Sequence, residues 1–188
     1  MFRLLFGFRV QGRERVPAEG AALLLSNHAS HLDPVLVGVA SPRQLRFLAR
    51  DTLFFWPLAW LIGSLGAVPI NRESGIAGLR TTMTILKQQH ALLLFPEGTR
   101  SEDGHLQPLK PGFCSVARRS RAALVPVGIA GSFDALPRGR TMPRMKRIVL
   151  EFGEPIPYSE YAELSDEQLV QLVAQRLASA VEAASQGI

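Results

Sequence analysis

The run Ser26-Asn27-His28-Ala29-Ser30-His31-Leu32-Asp33 places a histidine and an aspartate five residues apart, directly after an apolar stretch. A neutral imidazole oriented by a carboxylate is the smallest apparatus that takes a proton from a hydroxyl. The chain offers no nucleophile of its own beside it, and no G-x-S-x-G elbow occurs. The hydroxyl so activated would belong to a substrate. A blander reading competes, in which Asp33 only caps a helix and His28 is a loop residue bonded to backbone.

A second polar group lies in Phe95-Pro96-Glu97-Gly98-Thr99-Arg100-Ser101. Gly98 lets the backbone turn tightly or approach a ligand closely. Arg100 offers a planar fork for phosphate oxygens. Glu97 either accepts from a substrate hydroxyl or holds Arg100. Read alone, the stretch is equally a plain turn with a surface arginine.

Both groups need elements to position them. Five residues along a straight helix leave two side chains on different faces, so the backbone must turn between His28 and Asp33. Residues 21–25 read as a short buried strand. Asp33-Pro34 reads as an N-cap followed by proline at the first helical position. His28 then sits in a strand-exit turn. Residues 91–95 form a second buried strand whose exit loop carries Glu97, Gly98, Thr99 and Arg100. Further strands are expected at 46–49, 125–129 and 148–152. Ile76, Leu79, Met83 and Leu86 recur at helical spacing. Ser165-Asp166-Glu167-Gln168 is a capping box. It opens a helix over 165–185 with Leu169, Leu172, Val173, Leu177 and Val181 on one stripe. This alternation predicts one α/β domain over residues 1–188, with a mostly parallel sheet flanked by helices. Both polar loops then leave the carboxyl ends of strands, where open α/β sheets bind ligands.

Composition narrows the partners. The 188 residues carry a net charge of +5, so the partner is expected to be anionic: nucleic acid, a phosphorylated substrate or an acidic membrane surface. The single cysteine, Cys114, excludes an internal disulfide and is expected to be buried. No cleavable signal peptide is read at the amino end. Residues 1–9 mix apolar bulk with Arg3 and Arg9, as a membrane-surface anchor would. Residues 53–70 carry no charge, but Pro57, Gly63, Gly66 and Pro69 interrupt them, so a spanning helix is not expected. Trp56 and Trp60 share a helical face there, and either membrane contact through Phe54, Phe55, Trp56 and Trp60 or ordinary core packing accounts for them.

The pattern His28-x-x-His31-x-Asp33 holds three side chains of metal-ligand type, but its spacing fits no metallohydrolase signature, and no metal is expected. Residues 138–147 hold five basic residues in ten. They suit phosphates on CoA, a membrane or RNA, or simply a solvated face. No aromatic residue is interleaved to stack on bases, so nucleic acid is not the expected partner.

Taken together, these stretches resemble the glycerolipid acyltransferases. Asn27-His28-Ala29-Ser30-His31-Leu32-Asp33 is similar to that family's first motif, N-H-x-S-x-x-D, and Phe95–Ser101 reproduces its third, F-P-E-G-T-R-S. Gly66-Ala67-Val68-Pro69-Ile70-Asn71-Arg72 resembles the second motif, with Asn71 where an aspartate often precedes the arginine. Val125-Pro126-Val127-Gly128-Ile129 resembles the fourth. The resemblance runs over residues 10–157 and is greatest to the lysophosphatidic acid acyltransferases. It implies a glycerol-3-phosphate acyltransferase-like fold. The implied reaction is acyl transfer from acyl-CoA or acyl-carrier protein to the free hydroxyl of a lysophospholipid, giving phosphatidic acid without a cofactor. His28 would be the general base, oriented by Asp33. Arg72 and Arg100 would hold the phosphate with Asn71 beside them, and Glu97, Gly98 and Thr99 would shape the acceptor site. Another lysolipid, such as a lyso-ornithine lipid, or a non-catalytic module binding anionic lipid, are the alternatives. A bilayer acceptor and a cytosolic thioester imply a peripheral protein on the cytoplasmic face.

Overall fold

The computed structural model describes residues 7–51, 58–70 and 75–188. Apolar runs too short for helices become strands: β1 (Arg9–Gln11), β2 (Ala22–Ser26), β3 (Leu45–Arg50), β4 (Ala67–Ile70), β5 (Ala91–Leu94), β6 (Ala123–Ala130) and β7 (Val149–Phe152). The helices between them are α1 (Asp33–Ala40), α2 (Leu58–Ser64), α3 (Gly75–Lys87), α4 (Gly112–Ser120), α5 (Ser132–Ala135), α6 (Tyr158–Tyr161) and α7 (Asp166–Gln186). The strands form one sheet in the order β1-β7-β6-β2-β5-β3-β4. Its neighbours run parallel except β6 and β7, which are antiparallel. The mostly parallel sheet expected from the sequence is therefore present, and β1 and β7 run against the other five strands.

β2 shows why the sheet needs helices on both sides. Every residue of it is buried, and successive side chains alternate between faces. Leu24 joins Leu36 and Val37 of α1, Ile62 of α2 and Ala135 of α5. Leu23 and Leu25 join Leu86 of α3, Phe113 and Ala117 of α4, Tyr161 of α6 and Val173 of α7. A strand buried on both faces reads as a continuous leucine run, as a central parallel strand should.

The structure moves several expected boundaries. β4 falls inside the uncharged 53–70 segment and pairs with β3, Phe47 opposite Ala67. Gly66 enters it at φ 91°, where a Cβ would lie 1.9 Å from the Leu45 carbonyl oxygen, so this glycine is required by a close backbone approach. Phe8 is buried in the core and Arg9 begins β1. They belong to the domain rather than to a surface anchor. Residues 1–6, Phe54, Phe55 and Trp56 lie outside the described residues. Trp60 is 77% exposed. Among the described residues no helix is long and apolar enough to cross a membrane.

Two helix signals resolve differently. Ser165 and Gln168 form the expected capping box at the start of α7. Asp33 is the first residue of α1, not its cap: its carboxylate turns back to the preceding loop. Cys114 is fully buried, and burial pushes its thiol up to about 11.

Candidate active site

β2 and β5 lie side by side and parallel, with Leu25 opposite Leu94. Their exit loops therefore leave the same edge as neighbours. The Ser101 N–H donates to the His28 carbonyl at 2.7 Å and ties one loop to the other.

The first loop wraps around a carboxylate. Asp33 is fully buried. Its Oδ2 accepts from His28 Nδ1 at 2.9 Å and from the Ala29 and Ser30 backbone N–H groups, each at 2.7 Å. The two backbone N–H donors make Oδ2 an acceptor, so its contact with the imidazole places the ring proton on Nδ1 and leaves Nε2 with the free lone pair. The Phe95 ring stacks on the imidazole, centroids 3.9 Å apart and planes 19° from parallel. The histidine side chain keeps 18% of its surface open to solvent. The imidazole is thus held in a fixed orientation and is partly open to solvent.

Glu97 takes a role not weighed for it from sequence. It is buried, and its two carboxylate oxygens accept backbone N–H groups, Oε1 from His28 at 2.6 Å and Oε2 from Gln107 at 2.9 Å. Burial raises this carboxyl above the usual range, against the opposing pull of those two bonds. Gly98 is exposed at φ 76°, and a Cβ there would sit 3.1 Å from Lys110 Nζ. Thr99 is exposed and Arg100 half-buried. Desolvation and the nearby Arg100 lower the His31 imidazole, and His31 takes no part in the bonds around Asp33. β4 ends at Ile70 on the same edge, while Asn71 and Arg72 lie outside the described residues. Among the described residues no cluster of His, Cys, Asp and Glu is arranged to hold a metal.

Sequence reasoning missed three contributors. The Asn27 amide bridges to β6, donating to the Ile129 carbonyl at 2.9 Å and accepting its N–H at 2.8 Å. Ser30 Oγ donates to the Leu136 carbonyl at 2.8 Å. Asn27 fastens the histidine loop to the strand beside it and Ser30 fastens it to the residue that ends α5, and their place within the first motif was the available clue. Lys110 reaches the second loop from ten residues beyond the motif core, where spacing carried no hint.

The arrangement is an α/β sheet with a carboxylate-oriented histidine at its carboxyl edge and cationic side chains in the neighbouring loop. Comparison with known proteins gives its family. The family model described as Acyltransferase matches residues 7–130, more than half of the chain, and the chain belongs to that family. It is similar to the 1-acyl-sn-glycerol-3-phosphate acyltransferase of Bacillus subtilis, 28% identical over 186 residues, covering 97% of this chain and 86% of that protein. It is also similar to the chloroplastic 1-acyl-sn-glycerol-3-phosphate acyltransferase LPAT1 of Arabidopsis thaliana, 31% identical over 139 residues and 71% of this chain. There the chain spans only 39% of the relative's length. Among solved structures, the 1-acyl-sn-glycerophosphate (LPA) acyltransferase PlsC from Thermotoga maritima superposes with a TM-score of 0.81 at 27% identity. That match covers 94% of this chain and 71% of the other.

Proposed function

We propose that the chain transfers an acyl group from a thioester to the free hydroxyl of lysophosphatidic acid, giving phosphatidic acid and a free thiol. The observation that carries this reading is the His28 Nδ1–Asp33 Oδ2 hydrogen bond at 2.9 Å, set between two loops on one sheet edge. Nε2 takes the proton of the glycerol hydroxyl as its oxygen attacks the thioester carbonyl carbon. Asp33 stabilises the imidazolium that forms. The tetrahedral intermediate then collapses, the carbon–sulfur bond breaks, and His28 returns its proton to the leaving thiolate. No enzyme nucleophile is consumed. Arg100 and Lys110 border the second loop and supply cations for the acceptor phosphate, with Arg72 of the second motif assigned the same task. The names of the similar proteins support lysophosphatidic acid as acceptor. The donor is acyl-CoA or acyl-carrier protein, and the protein works at the membrane surface on the cytoplasmic side, where both substrates meet.

The test is an assay of purified protein with a panel of lysolipids, offered in turn with acyl-CoA and acyl-carrier protein. Phosphatidic acid should form from lysophosphatidic acid, and the His28→Ala protein should not make it. Turnover confined to another lysolipid would reassign the acceptor. Equal turnover by the folded His28→Ala protein would remove the mechanism.

A further inference from the structure

Between α5 and β7 the chain forms a strap, residues 138–147, in which every residue is exposed. It carries Arg138, Arg140, Arg144, Lys146 and Arg147 and no acidic residue. Met142 and Met145 stand in its middle at 76% and 78% exposure. Its ends are fixed at the catalytic edge. The Arg144 N–H donates to the Ala135 carbonyl at 2.7 Å. Arg138 pairs with Glu102 at 2.9 Å, one residue past the Ser101 that bonds His28. Leu136, just before the strap, accepts from Ser30. Among the described residues Arg140, Arg144 and Lys146 form no ion pair.

We infer that this strap is the surface by which the catalytic edge docks on an anionic bilayer, its cations on lipid phosphates and its two methionines in the apolar layer beneath. The choice of lipid over a protein partner rests in part on the lysophospholipid reading above, since that acceptor resides in a bilayer. One feature of the strap supports it independently. Bare thioether side chains set among cations match a headgroup layer over hydrocarbon. Gly7 and Ile188 also lie against its last residue. A Cβ added to Gly7 would lie 3.6 Å from the Arg147 Cγ. Ile188, half exposed, has its carbonyl bonded by Arg147 at 2.5 Å.

The experiment is co-sedimentation with vesicles of phosphatidylcholine alone and of phosphatidylcholine mixed with phosphatidylglycerol. It compares wild type with an Arg140→Gln, Arg144→Gln, Lys146→Gln triple variant and a Met142→Ser, Met145→Ser double variant. Wild type should bind the anionic vesicles more tightly. The triple variant should lose that increment, about fivefold per charge and on the order of 100-fold in all. The double variant should keep the increment and weaken binding to both compositions. An increment absent in wild type, or undiminished in the triple variant, overturns the inference, as does a double variant that binds like wild type. A triple variant that binds vesicles normally but loses turnover only with acyl-carrier protein assigns the strap to that carrier and overturns it too. Binding is read without turnover. A wild type that shows the increment but acylates no lysolipid leaves the strap assignment standing and removes only the proposed reaction.

Discussion

Glu97 holds His28 by its backbone: Oε1 accepts the His28 N–H at 2.6 Å while Oε2 accepts that of Gln107. The carboxylate thereby joins the two loops and fixes the peptide from which the His28 imidazole projects. Glu97→Gln turns one acceptor into a donor facing an N–H, so kcat/KM should fall with the fold retained. The pH dependence of stability separates this role from simple packing. Burial raises the Glu97 carboxyl, and a raised native value gives stability that is complete at low pH and is lost as pH rises through it. The Tm advantage of wild type over Glu97→Gln should therefore shrink from acid towards neutral pH. An advantage that grows over that range would show that the two hydrogen bonds outweigh burial.

Asp33→Asn should lower kcat by about 10²–10⁴-fold, as expected when a general base loses its orienting charge. The variant amide can place its oxygen at the Oδ2 position, but its NH2 then takes the Oδ1 position, where the buried oxygen has no partner. A modest loss of Tm should accompany the kinetic defect. Single-turnover rates at saturating lysolipid isolate the chemical step, and a rate near wild type would reject the assigned role of Asp33.

Arg100→Lys keeps a charge and loses the planar fork, so it should raise KM for lysophosphatidic acid more than for the donor thioester. Steady-state kinetics with each substrate varied in turn decide the matter. A defect confined to the donor would move Arg100 to the thioester side of the site.

Two residues of the sequence motifs should act on stability. Asn27→Ala strips the bridge to Ile129 and orphans a buried N–H and a buried carbonyl, at about 1–3 kcal/mol for each group. Gly128→Ala would put a Cβ 2.2 Å from the Ala180 carbonyl carbon of α7. Such overpacking costs about 1–3 kcal/mol, or roughly 2–4 °C in Tm per kcal/mol for a domain of this size. Thermal unfolding of both variants measures it, and an unchanged Tm for Gly128→Ala would mean that α7 can stand off from β6 freely.

The meeting of His28 with Asp33 was legible because spacing, a preceding leucine run and Asp33-Pro34 all demand a turn between strand and helix. The roles of Glu97 and Asn27 were not, because their partners lie 69 and 102 residues away, and no local pattern encodes a contact at that range. β4 was hidden by Pro69, which argues against a central strand but is tolerated here on the sheet's edge. β1 has only three residues, Arg-Val-Gln, too few to show alternation. Phe8 resembled part of an anchor because apolar side chains read alike whether they face lipid or a core. The reversed direction of β7 leaves no mark on its own residues.

That reversal has an architectural consequence. Had β7 run with its neighbours, the chain after β6 would have had to cross back beneath the sheet before entering it, as a parallel connection requires. Because β6 and β7 are antiparallel, the whole link from Gly131 to Ile148 begins and ends on the edge that carries the His28 loop. Its first part is fixed, since Ala135 packs in the core and Leu136 holds Ser30 of the histidine loop. Only the exposed stretch 138–147 is left to vary in length and composition, so the surface offered at that edge can change while the sheet and the histidine loop stay in place.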